Sequence, residues 1–145
     1  MGVKNNLSAI HPELRTIARL SPNFSFNRRN LWLMKGLIHL LPGSRAPDLC
    51  LKNVFIPGVN GQTTIRLRLY TPKSTVKPMP ALLWLHGGGY VLGKPEMDDR
   101  RCLYYARRCG ITVVSVDYRC APQHPFPAAL DDCTAALQWV NAHAG

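Results

Sequence analysis

Residues 86–90 read His-Gly-Gly-Gly-Tyr and follow directly on the apolar run Ala81–Leu85. Such a segment suits acyl transfer. When a nucleophile attacks an ester carbonyl, its oxygen becomes an alkoxide, which preorganised N–H donors about 3 Å away stabilise. Successive glycines let a chain turn tightly enough to aim consecutive amides at one point, with no Cβ in the way. Gly88 and Gly89 are therefore the candidate oxyanion donors, held in a loop with His86 and Gly87. A glycine triplet by itself can be a plain turn, so other chemistries need weighing. Gly88 and Gly93-Lys94 satisfy most of a phosphate-loop pattern, but Pro95 stands where a hydroxyl should hold magnesium, and Tyr90-Val91-Leu92 is too bulky for a phosphate cradle. Cys120 and His124 could pair as nucleophile and base, yet no third group orients them and Pro122 and Pro125 constrain the loop. Ser115 lies inside an apolar run and reads as core.

The elements that would position this loop follow from periodicity. Apolar residues recur at helical spacing over 10–20 and over 31–41, and Pro22 and Pro42-Gly43 break the two segments apart. Beyond Pro47 the pattern alternates: Val54-Phe55-Ile56, a turn at 58–61, then Thr64-Ile65-Arg66-Leu67-Arg68-Leu69-Tyr70. That spacing predicts a half-exposed hairpin with its arginines in water. Two near-continuous apolar runs, 81–85 and 111–116, suit strands of a parallel sheet covered on both faces. Residues 101–108 and 127–143 read as helices between and after them. The order, two helices, an antiparallel hairpin, then parallel β-α-β-α, predicts an α/β fold.

Composition narrows the function classes. The 145 residues are 46% hydrophobic and 18% charged, as in a packed globular protein. The net charge of +10 falls wholly in residues 1–80, where only Glu13 and Asp48 are acidic. The basic residues form no dense run and no nucleic-acid-reading motif accompanies them, so the expectation is no nucleic-acid partner; an anionic membrane surface is a second explanation of the charge, and a solvated basic surface, with its balancing acids elsewhere, a third. Five cysteines without a CxxC pair signal neither a disulfide framework nor a metal site. Residues 31–41 are interrupted by Lys35 and too short to span a bilayer. A cytoplasmic protein without a leader is expected.

The loop HGGGYVLG, together with Asp117-Tyr118-Arg119-Cys120-Ala121-Pro122-Gln123-His124-Pro125-Phe126-Pro127-Ala128-Ala129, resembles the hormone-sensitive-lipase family of α/β-hydrolases, the fold-3 group, whose members carry HGGG and DYRLAPEHPFPA at corresponding places. The match runs from about residue 50 to 145, with a weaker likeness of 10–45 to a helical cap. The resemblance implies a helical cap segment at 1–47 and the N-terminal half of an α/β-hydrolase domain at 48–145. It implies a carboxylic ester hydrolase for small or medium acyl esters, without metal or cofactor. Gly88 and Gly89 would supply the oxyanion hole, and His86 would shape the loop instead of acting as base. Tyr90, Phe24 and Trp32 would line the substrate pocket, although aromatic residues at helical spacing also read as packing between cap and body. Cys120 and Gln123 depart from the family's Leu and Glu, and the second removes a charge that could fix the loop.

The family's nucleophile lies in a G-D-S-A-G elbow on a later strand. No serine here, at 8, 21, 25, 44, 74 or 115, has such a context. The expectation is a truncated, inactive fragment whose strand 81–85, next to that absent strand, leaves an open edge and favours self-association. The alternative is a non-catalytic binding or assembly protein built on the hydrolase half-fold.

Overall fold

The computed structural model describes residues 7–20, 27–73 and 78–143. Two helices come first, α1 (Arg15–Leu20) and α2 (Arg28–Leu40), with 3-10 turns at Leu7–Ala9 and Pro12–Leu14. The predicted helix over 10–20 is thus shorter: Pro12–Leu14 is a 3-10 turn that leads directly into α1, with Pro12 at its first position. Asn27 caps α2, its Oδ1 accepting from the Asn30 N–H at 2.8 Å. The hairpin follows as β1 (Leu49–Pro57) and β2 (Thr64–Pro72), closed by a turn in which Gly61 takes φ +68°. Next come β3 (Ala81–Leu85), α3 (Asp99–Cys109), β4 (Thr112–Asp117) and α4 (Ala128–His143).

The four strands form one sheet in the order β1-β2-β4-β3. β1 and β2 are antiparallel, as are β2 and β4, while β3 and β4 run parallel with Leu83 beside Val114. This is the predicted mixed α/β architecture. The sheet carries one core on each face. Ile65, Leu67, Val114 and Val116 pack with Ala135 and Ala136 of α4, and Tyr70, Leu49 and Val113 pack with Cys102, Leu103 and Ala106 of α3. β4 is buried along its length, as its apolar run predicts, and Ser115 is core. β3 is only half-buried: it lies at the sheet edge among the described residues, and its second side has no partner strand.

The structure corrects one expectation. Arg66 and Arg68 alternate with Ile65, Leu67 and Leu69 as read, but their face is covered by α3 and the turn before it, so they are not solvated. Arg66 makes a two-pronged contact with Glu96 (2.6 and 3.0 Å) and donates to Asp117 (2.8 Å). Arg68 donates to Asp99 at 2.9 and 3.1 Å, and the Tyr70 hydroxyl donates to the same carboxylate. Part of the basic first half is therefore balanced by acids of the second half, inside the molecule.

Candidate active site

Residues 86–93 leave the C-terminal end of β3 and fold back on themselves before α3. The Gly88 carbonyl accepts from both Val91 (3.2 Å) and Leu92 (3.0 Å), closing a tight turn. Gly88 has φ +129°, and a Cβ there would lie 2.0 Å from the Leu92 carbonyl oxygen. Gly89 has φ +61° with open space where its Cβ would be. Both glycines are thus required, the first by contact as well as by conformation, the second by conformation. Among the described residues, the N–H groups of Gly88 and Gly89 donate to no acceptor. They are backbone donors held without a partner in a fixed loop.

His86 underlies this loop. It is 4% exposed, its ring stacks on Tyr118 with centroids 4.1 Å apart, and its Nδ1 lies 3.0 Å from the Gly87 carbonyl oxygen. The Tyr118 hydroxyl donates to the His86 carbonyl at 2.6 Å, joining the ends of β3 and β4. Gly93, at φ +119°, closes the far side, where a Cβ would come within 2.2 Å of His86 Nδ1. Sequence reading missed Tyr118 and Gly93 as members of the site. The last glycine of HGGGYVLG was a visible signal, while the Tyr118 contact spans 32 residues and left none. His86 Nε2 is buried with no partner among the described residues.

Tyr90 continues the loop in a left-handed conformation, φ +61°, secured by the Ala121 N–H donating to its carbonyl at 2.8 Å. Its ring borders an open hollow of about 830 Å³ whose walls include His86, Gly89, Phe126, Leu130 and Cys133. Trp32 does not join it. That side chain is 73% exposed on α2 and borders a separate crevice with Lys35, Gly93, Asp117 and Cys120, so the helix places it away from the Tyr90 hollow and does not pack it into the body. Phe24 lies outside the described residues.

The remaining polar groups brace the site. Arg119 grips the buried Asp132 of α4 through Nε and Nη2 at 2.8–3.1 Å, with its own N–H on the same carboxylate at 2.9 Å. Asp132 is thereby occupied, as Asp117 is by Arg66. Cys120 is no nucleophile: burial pushes its thiol pKa up, and its Sγ faces the carbonyls of Leu92 and Tyr118. Gln123, where the family has Glu, accepts from Lys35 of α2.

The alpha/beta hydrolase fold family model matches residues 82–145. Among curated proteins, carboxylesterase NlhH of Mycobacterium tuberculosis is 39% identical over 103 residues, which are 71% of this chain and 32% of that protein. The FAD-linked oxidoreductase pytB of Aspergillus terreus is 42% identical over 77 residues, 53% of this chain but 10% of that protein. Of the solved structures, a bacterial heroin esterase superposes with a TM-score of 0.76 at 32% identity, covering 97% of this chain and 45% of that one. The chain spans less than half the length of each of these relatives.

Proposed function

Through residues 82–145 the chain belongs to the α/β hydrolase fold family, and on that premise we propose that it supplies the oxyanion hole of a carboxylic ester hydrolase, with residues 1–47 as a helical cap. Esterase homologues support the reaction class. The observation that carries the site is the pair of N–H groups at Gly88 and Gly89, unpartnered among the described residues and held at positive φ in a loop whose Gly87, Gly89 and Tyr90 border an apolar hollow. In this reading an acyl ester lies in the hollow against Tyr90, Phe126 and Leu130. Its carbonyl oxygen points at the two glycines, which receive the charge that develops as the carbonyl becomes tetrahedral. His86, stacked and buried, holds the loop.

The nucleophile is the part that these residues do not provide. Serine attack needs a hydroxyl within hydrogen-bond reach of a base and facing the oxyanion donors. Among the described residues, Ser115 is the serine within the loop's supporting strands, and its Oγ is buried in β4. Residues 1–145 alone therefore turn over no ester, and a second segment bearing serine, acid and histidine completes the site against the open side of β3. The same unpartnered edge favours a second reading, in which the half-fold is an assembly module that pairs strand to strand without chemistry.

The experiment is complementation. The chain is co-purified with the nucleophile-bearing half of a related esterase, and p-nitrophenyl acetate hydrolysis is measured for each part and for the pair. Turnover by the pair alone is expected. A stable pair with no turnover leaves the assembly reading, and covalent organophosphate labelling of a serine within residues 1–145 overturns the assignment of the nucleophile.

A further inference from the structure

Helix α2 has two apolar faces. Leu31, Met34 and Ile38 are half-buried on the side toward the body, and Lys35 beside them donates to the Ala121 carbonyl (2.7 Å) and to Gln123. At the helix end, Lys94 donates to the carbonyls of His39 (3.1 Å) and Leu41 (2.8 Å), satisfying groups that a helix C-terminus leaves open. The helix is thus seated through one face. On the opposite face Leu33, Leu37 and Leu40, spaced i, i+4, i+7, are 57%, 58% and 80% exposed, and Trp32 stands at the flank. In α1, Ile17 and Leu20 are exposed in the same way.

Exposed apolar stripes of this kind mark contact surfaces, and charge selects the occupant. Residues 1–47 contain seven basic residues, Lys4, Arg15, Arg19, Arg28, Arg29, Lys35 and Arg45, against the single acid Glu13. A second copy would bring the same positive charge to the contact, on a chain that already carries +10. An apolar stripe with an exposed indole, on a segment of this net positive charge, instead complements anionic headgroups lying over acyl chains. We propose that α2, with α1 beside it in sequence, docks on the surface of an anionic lipid bilayer. The helix lies about 20 Å long in the interface plane, Leu33, Leu37 and Leu40 reach the acyl boundary, and Trp32 sits at headgroup level. No helix among the described residues is long and apolar enough to cross a membrane. This docking does not depend on the ester chemistry.

Vesicle flotation tests it, because aggregated protein sediments while bound protein rises. The 145-residue chain is mixed with vesicles of phosphatidylcholine alone or of phosphatidylcholine with phosphatidylglycerol. Expected are at least ~tenfold stronger partitioning to the anionic vesicles, weakening with salt, and a blue shift of tryptophan emission that Trp32→Phe removes. The triple variant L33E/L37E/L40E, changed only at exposed positions, should keep the parent melting curve and lose partitioning at least ~tenfold. Equal flotation on both vesicle types, none on either, or flotation untouched by the triple variant overturns the proposal. So does a concentration-dependent oligomer that the triple variant abolishes, which assigns the stripe to a second copy. Flotation lost on adding the nucleophile-bearing half overturns it too, since the stripe then belongs to the hydrolase interior.

Discussion

At the scale of single residues, the loop's three positive-φ glycines make separable demands. Gly89→Ala keeps the N–H and meets open space, so its cost is the left-handed conformation alone, about 1–2 kcal/mol. Gly88→Ala drives a Cβ into the Leu92 carbonyl, and Gly93→Ala into the His86 ring, which cannot give way because it is stacked on Tyr118. Urea melts should therefore rank Gly89→Ala as the mildest of the three. In the complemented enzyme, Gly88→Ala should displace a donor and lower kcat by about 10²–10³-fold. Melts in which all three variants match the parent would mean the loop is not held as described. Tyr118→Phe leaves the buried His86 carbonyl without its donor and should cost about 1–3 kcal/mol.

At the scale of elements, β2 and the N-terminal end of α3 are joined by charge. Burial opposes ionisation of Glu96, but its hydrogen bonds to Arg66 and the nearby Arg68 outweigh that and lower its pKa from 4.5 to about 2. A carboxylate whose folded pKa is depressed stabilises the fold above its unfolded pKa, and that contribution is lost as pH falls through the folded one. Stability should decline between about pH 4.5 and 2, and Glu96→Gln should flatten that part of the curve while lowering stability at neutral pH. An unchanged acid limb would remove Glu96 from the account. Asp99 holds Arg68 and Tyr70 together, so Asp99→Ala takes the nearer carboxylate from a part-buried guanidinium, leaving it Glu96 at 3.8 Å, and should cost about 1–3 kcal/mol.

For the molecule as a whole, the two edges of the sheet differ. β1 carries Lys52, Asn53 and Pro57, residues that discourage further pairing, whereas β3 contains no charge or proline. Phe126, Leu130 and Leu137, on and just before α4, are also largely exposed. Light scattering at tens of micromolar should show association, and adding the nucleophile-bearing half should reverse it by pairing β3 and covering α4. Leu83→Lys should reduce association without that partner. A cooperatively melting monomer at the same concentration would contradict an adhesive edge.

The order of elements, the paired apolar runs of β3 and β4 and the glycine loop between β3 and α3 were all legible in the chain, since each depends on neighbours a few residues apart: period 2, helical period, consecutive glycines. Tertiary structure alone decided what those elements face. Period 2 put Arg66 and Arg68 on one side of β2, but only the packing of α3 made that side an ion-paired interior, through contacts 30 and 31 residues apart. The stacking of Tyr118 under His86 and the separation of Trp32 from the Tyr90 hollow arise the same way. Local spacing specifies the face a side chain occupies, and which face another element covers is set by contacts that close long loops.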